Sequence, residues 1–255
     1  MSPTPLLPDG YRLIVLDAID STNDEAKRRA LDGAPNSTVI WARSQTAGRG
    51  RRARQWVSPP GNLYCSILVR PAKTSSAVVA QYSFIAALAA FDALEAVGAG
   101  CGLAVKWPND LLLNQCKVAG ILLESSLIGE RTVDWIVAGV GVNLTSHPEI
   151  EAPIAASDLA AEGCAVPAAG ELLSALVAAF DRWQRCWVGQ GFEPVRDAWL
   201  TRAMGRGKSV RVELEGEAIE GRFADLAPGG ELIIELGDGS RRVIAAGDIT
   251  FTLDS

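Results

Sequence analysis

Arg49, Arg51, Arg52 and Arg54 fall within six residues in the run Gly48-Arg49-Gly50-Arg51-Arg52-Ala53-Arg54-Gln55-Trp56, and Gln45 stands three residues before it. A guanidinium offers a rigid fork of N–H donors that fits carboxylate and phosphate oxygens. The interspersed glycines permit tight or left-handed backbone. Such a run suits neither a buried strand nor a quiet helix face; its chemistry is closure over a strong anion. Taken alone, it fits a solvated basic loop or a nucleic-acid patch equally well.

Three other groupings carry chemistry. Lys106-Trp107-Pro108-Asn109-Asp110 is followed, seven residues after Asp110, by Lys117 at the head of Lys117-Val118-Ala119-Gly120-Ile121-Leu122-Leu123-Glu124. The others are Gly139-Val140-Gly141-Val142-Asn143-Leu144 and Ser21-Thr22-Asn23. An ammonium at the edge of an apolar strand can point into a pocket, although a lysine there also serves as a gatekeeper. Asp110 has three readings: orienting Lys117, assisting a metal, or accepting a proton from an incoming amine, since an ammonium is not a nucleophile. Asn109 is ordinary turn chemistry, and Trp107 and Trp56 read equally as core.

Composition narrows the partners. The 255 residues allow one large domain or a catalytic domain with a small appendage. A net charge of −6 argues against a general nucleic-acid binder, so the arginine cluster is local. Five scattered cysteines without a CxxC pair fit a reducing compartment. The first ten residues lack a signal peptide's basic and apolar regions. The apolar stretch 77–90 is broken by Gln81, Tyr82 and Ser83 and is too short for a bilayer. A cytoplasmic enzyme with no membrane contact is expected. His147 is the only histidine, which leaves little room for a histidine metal site or a Ser-His-Asp triad.

The elements that must position these residues follow from periodicity. Strands are expected at 11–16, 38–42, 63–69, 104–107, 111–113, 118–128 and 133–142. Helices are expected to open at Ser21-Thr22-Asn23, with Thr22 and Glu25 at capping-box spacing, and to run over 77–97, 171–187 and 192–200. These predict a central sheet covered on one face by helices. From about Lys208 short strands alternate with glycine turns, so 1–206 reads as the catalytic domain and 207–255 as a separate small β-barrel.

The arginine–glycine loop, Lys-Trp-Pro-Asn-Asp, Lys-x-Ala-Gly and Gly-x-Gly-x-Asn occur here in the order found in biotin protein ligases, which residues 11–145 resemble. The resemblance implies an α/β (α+β) fold: a mixed, mainly antiparallel, class II synthetase-like sheet backed by helices, then an SH3-like barrel. It implies that biotin and MgATP give biotinyl-5′-AMP, and that biotin then passes to a lysine of a biotin carboxyl carrier protein domain of acetyl-CoA carboxylase or a related carboxylase. Ser21, Thr22, Asn23 and Gln45 would bind the biotin ureido head, with Gly48 and Gly120 allowing close backbone approach. Arg49, Arg51 and Lys117 would serve biotin, ATP and catalysis together, and Asp110 would act as base or orienter. Arg52, Arg54, Trp56 and Asn143 would contact ATP, and no residue of 207–255 is assigned. The physical demand is clear without the family: two anions about 4 Å apart repel by roughly 4 kcal/mol at an effective dielectric near 20, and fixed cations offset it.

Ala53 departs from the family pattern, which has glycine there; at positive φ the alanine costs on the order of 1 kcal/mol. Ten residues before Tyr11 are too few for a helix-turn-helix domain, so a short form without DNA binding is expected, monomer or homodimer. Among rivals, Leu144 breaks a dinucleotide fingerprint, and the arginine loop lacks a P-loop ending. A lipoate or octanoate ligase or transferase of the same fold is the nearest alternative. A nucleic-acid-binding module, built from the basic loop and the barrel, is the other.

Overall fold

Alternating apolar residues along the central strands supply two faces, each requiring cover. The computed structural model describes residues 4–72, 74–100, 102–129, 131–149, 152–214 and 217–251. Strands β1 (Arg12–Leu16), β2 (Thr38–Ala42), β3 (Leu63–Val69), β4 (Leu103–Lys106), β5 (Asp110–Leu113), β6 (Cys116–Ile128) and β7 (Thr132–Val142) form one sheet in the order β1-β2-β3-β7-β6-β5-β4. The β1–β2 pair is parallel and the other five pairs are antiparallel. The expected mixed, mainly antiparallel sheet is present.

Helices cover both faces, not one. Cys65, Ile67, Ala138 and Val140 join the large core that includes helices α2 (Gln81–Ala96) and α3 (Ala169–Gln190). Leu68, Trp135 and Val137 point the other way and pack with Ala26 and Ala30 of α1 (Thr22–Leu31). Two alanines make too slight an apolar stripe for the sequence to announce a second layer. The capping residue of α1 is Ser21, not Thr22: its hydroxyl accepts from Asp24 N at 3.4 Å.

The expected helix over 77–97 begins as a single 3-10 turn, Ser76–Val78, before α2. The whole of Ser76–Ala96 is apolar and long enough to cross a bilayer, contrary to the expectation from 77–90. Here most of it is core: Tyr82, Ile85, Leu88 and Ala89 are completely buried, and α2 packs on α3. A helix apolar all round belongs inside a protein.

Helix α4 (Glu193–Arg202) leads to a five-stranded antiparallel sheet, β8 (Ser209–Glu213), β9 (Ala218–Leu226), β10 (Leu232–Glu235), β11 (Arg241–Ile244) and β12 (Asp248–Phe251), in the order β11-β10-β9-β8-β12. Its inward residues, among them Phe223, Leu232 and Ile234, merge with the main core. Trp107 Nε1 donates to the Gly230 carbonyl at 3.1 Å, tying the β4–β5 turn to the C-terminal sheet.

Candidate active site

Strand register carries one row of residues straight across the main sheet. Ala42, Tyr64, Gly141, Gly120, Asp110 and Lys106 are successive partners from β2 to β4. Side chains alternate between faces, so the row lies on the α1 side, two residues beyond Gly139 and four beyond Val137. The two glycines leave a bare floor about 10 Å wide, two strand spacings. Tyr64 bounds it on one side, and Asp110 and Lys106 on the other. A cavity of ≈ 540 Å³ stands over this floor, a volume suited to a cofactor-sized ligand.

A polar cluster closes one end. Thr22 donates to Gln45 Oε1 through its amide (2.7 Å) and its hydroxyl (3.1 Å), and Gln45 Nε2 donates to Ser58 Oγ at 2.9 Å. Asn23 Nδ2 donates to Glu124 Oε2 at 2.9 Å, while Asn23 Oδ1 lies 2.6 Å from the buried Ser66 hydroxyl. Glu124 also receives Lys27 at 2.8 Å and Arg49 at 3.0 Å. Burial would raise the Glu124 pKa, but Lys27, Asn23 and Arg49 together hold it below the ordinary carboxylate value.

Cations line the other end. Lys117 Nζ pairs with Asp110 Oδ1 at 2.7 Å. Arg51 reaches Asn109 Oδ1 at 3.3 Å and Asp248 Oδ1 at 3.6 Å. Arg52 and Arg54 close on Asp248 Oδ2 at 3.1 and 2.8 Å. Burial opposes ionisation of Asp248, yet Arg54, Arg52 and Arg51 hold its carboxyl below the usual range. Burial lowers the Arg51 pKa, and Asp248 and Asp110 counter it. The loop folds back through Arg52 and Ala53, at φ of 53° and 58°.

Trp56 lies on the glycine floor. A Cβ added to Gly141 would stand 2.6 Å from its Nε1, and one added to Gly120 would stand 3.1 Å from its Cζ3. Lys117 Nζ sits 5.5 Å from the indole centroid, a cation–π distance. The arrangement combines a bare floor, a polar head pocket and convergent cations around the Asp110 and Asp248 carboxylates. It fits a ligand with a neutral polar head and anionic groups further along.

The family described as "Biotin/lipoate A/B protein ligase family" matches residues 15–143, and "Biotin protein ligase C terminal domain" matches residues 206–251. The chain is 42% identical over 245 residues to a biotin–[acetyl-CoA-carboxylase] ligase of Paracoccus denitrificans, covering 93% of this chain and 99% of that protein. The chain belongs to the biotin protein ligase family. A ligase of the same name from Mycobacterium tuberculosis is 32% identical over 94% of this chain and 89% of its own length. The biotin protein ligase from Aquifex aeolicus in complex with biotin and ATP superposes with a TM-score of 0.79 at 26% identity, over 94% of this chain and 98% of that one.

In this ligase most residues singled out from sequence converge. Ser21, Thr22, Asn23 and Gln45 border the cavity at the head end, and Arg49 joins them there, paired with Asp24 and Glu124 rather than set beside Lys117 and Arg51; Arg51, Arg54, Trp56, Asp110, Lys117 and Gly120 border the remainder. Gly48 and Arg52 do not border it. A Cβ at Gly48 would meet the Trp56 carbonyl and Ser58 Oγ, so this glycine lets the loop close on itself. Asn143 borders the cavity, but its Nδ2 donates to the Ser157 carbonyl at 2.9 Å. Asn109 is a clamp as well as a turn residue: Ile121 N donates to its carbonyl at 2.9 Å, and its side-chain amide donates to the Ile121 carbonyl. Trp107 is core.

Sequence reasoning passed over Ser66, Glu124 and Lys106 as site residues, and assigned nothing in 207–255, where Asp248 faces the cavity. Ser66 carried a signal, a small polar side chain inside an otherwise apolar and aromatic strand. Asp248 carried none. Among the described residues no group of three or more His, Cys, Asp or Glu side chains can hold a metal. Magnesium enters with ATP, whose phosphates need only one or two carboxylates to complete the ion's shell. Asp110 and Asp248, the two carboxylates that border the cavity, match that number.

Proposed function

We propose that the chain is a biotin protein ligase in the full sense: it forms biotinyl-5′-AMP from biotin and MgATP, and transfers biotin to a lysine of a carboxylase carrier domain. One observation carries the site assignment. The register row sets Gly141, Gly120 and Asp110 side by side, with Lys117 paired to Asp110, Arg51 on the neighbouring Asn109 and on Asp248, and the head pocket at the far end.

Thr22, Asn23 and Gln45 hold the ureido head, and the glycines admit the ring and chain. Lys117 and Arg51 draw the biotin carboxylate against the α-phosphate and offset their repulsion. A carboxylate oxygen attacks the α-phosphorus, and the bond to the bridging oxygen breaks. Pyrophosphate leaves with the electron pair. Trp56 and the arginine loop cover the mixed anhydride and limit its hydrolysis. In the second step Asp110 takes a proton from the acceptor lysine, whose nitrogen attacks the acyl carbon. The bond to AMP breaks, and an amide and AMP result.

Residues 1–206 form the catalytic unit in this reading, and 207–255 the domain that presents Asp248 to the loop. The relatives from Paracoccus and Mycobacterium are named for acetyl-CoA carboxylase, and a carrier domain of this type is the proposed acceptor. A cytoplasmic, reducing setting belongs to the same proposal and suits Cys65, Cys116, Cys164 and Cys186, which are all free thiols. The test is ATP–pyrophosphate exchange with biotin or lipoate supplied in turn. Biotin should drive exchange and lipoate should not; the reverse outcome makes the chain a lipoate ligase.

A further inference from the structure

Lys106 ends β4, the outermost strand of the main sheet on the side away from the head pocket. The residue is only 5% exposed, yet it borders the cavity. Its nearest carboxylate oxygen, Asp110 Oδ2, is 4.0 Å away, beyond hydrogen-bond reach. Burying an ammonium without a close partner is costly. Burial lowers the pKa of Lys106, and Asp110 and Asp248 counter this while Lys117 and Arg51 add to it. Five cations (Lys106, Lys117, Arg51, Arg52 and Arg54) thus share two carboxylates, Asp110 and Asp248. Arg52 and Arg54 are open to solvent, but Lys106, Lys117 and Arg51 border the cavity, where a bound anion would balance them.

The sheet order says which anion. Asn23 packs at Gly139 on β7, Lys117 stands on β6, Asp110 on β5 and Lys106 on β4. Displacement at phosphorus is in line, so the leaving group departs opposite the attacking oxygen. Biotin enters from the β7 side; the pyrophosphate must depart toward β5 and β4.

We propose that Lys106 is a further catalytic cation, whose ammonium binds an oxygen of the β- or γ-phosphate of ATP and of the departing pyrophosphate. The assignment rests on the ligase reading above. It explains why a buried lysine is held without a close partner: its counter-ion is the substrate. Asp110 lies between the two lysines, so Lys117 can move toward the reacting carboxylate without stripping Asp110 of positive company.

The test compares wild type with Lys106→Met, which keeps the side-chain volume, removes the buried charge and should fold at least as stably. In exchange assays the KM for ATP and for pyrophosphate should each rise about tenfold or more, the value of a lost charge-assisted hydrogen bond. Biotin affinity without nucleotide, and affinity for biotinyl-5′-AMP, should stay within about twofold, since neither ligand carries the leaving group. Lys106→Arg should recover part of the pyrophosphate affinity. An unchanged KM for both ATP and pyrophosphate overturns the assignment, and so does a loss of adenylate affinity as large as that for pyrophosphate. Absence of biotin-driven exchange in wild type would instead overturn the ligase reading itself.

Discussion

Lys117 Nζ stands 2.7 Å from Asp110 Oδ1, in a close ion pair. The pair places an ammonium and a carboxylate side by side over the glycine floor, where each can serve a different chemical step. Lys117→Met and Arg51→Ala should each slow biotinyl-5′-AMP formation by about 100-fold, the scale for removing one preorganised charge-stabilising donor. Melting temperature should barely move. Asp110→Asn should keep biotin-dependent exchange within about tenfold and slow transfer from preformed adenylate by roughly 10²- to 10⁴-fold. Transfer at the wild-type rate would remove Asp110 as the base.

The glycine floor gives a second test. Gly120 and Gly141 do not have positive φ, so alanine suits their backbone and the effect falls on what lies above. Gly141→Ala would push its methyl into Trp56, 2.6 Å from Nε1. The indole should be displaced, trypsin should cut the arginine loop faster, and KM should rise for biotin and ATP alike. Gly139→Ala meets the buried Asn23 amide instead, and should weaken biotin binding while leaving ATP binding intact.

Ala53 adopts φ of 58°, so the suspected departure from the family pattern is strained as expected. Ala53→Gly should relieve about 1 kcal/mol in the closed loop. Slower tryptic cleavage at Arg52 and Arg54 would register it; cleavage at an unchanged rate would show that the closed loop does not require this backbone.

Asp248 supplies a pH test with a definite sign. Its folded pKa is depressed below the ordinary 3.8 by Arg54, Arg52 and Arg51. The clamp is therefore complete above pH 3.8 and is lost as pH falls through the depressed folded value. The fluorescence difference between wild type and Trp56→Phe should be flat from about pH 5 to 8 and change only below pH 4. At neutral pH Asp248→Asn should mimic that change and cost about 1 kcal/mol, because the arginines are partly exposed and screened.

Residue chemistry and local period were legible in the chain itself. The strand at Leu63–Val69 has the bounds expected from its apolar run. The four motifs identified the family, because motif spacing reflects strand, turn and loop geometry over a few residues. Tertiary structure decided what lies opposite what. Trp56 over Gly141, Ser66 beneath Asn23, and Asp248 set against Arg54 across 194 positions depend on strand register and on the seating of the C-terminal sheet. A one-residue slip in the β4–β5 or β5–β6 pairing would turn Lys106 or Asp110 to the opposite face. Local spacing fixes which way a side chain alternates along its own strand; only packing of distant segments fixes which neighbours it meets there.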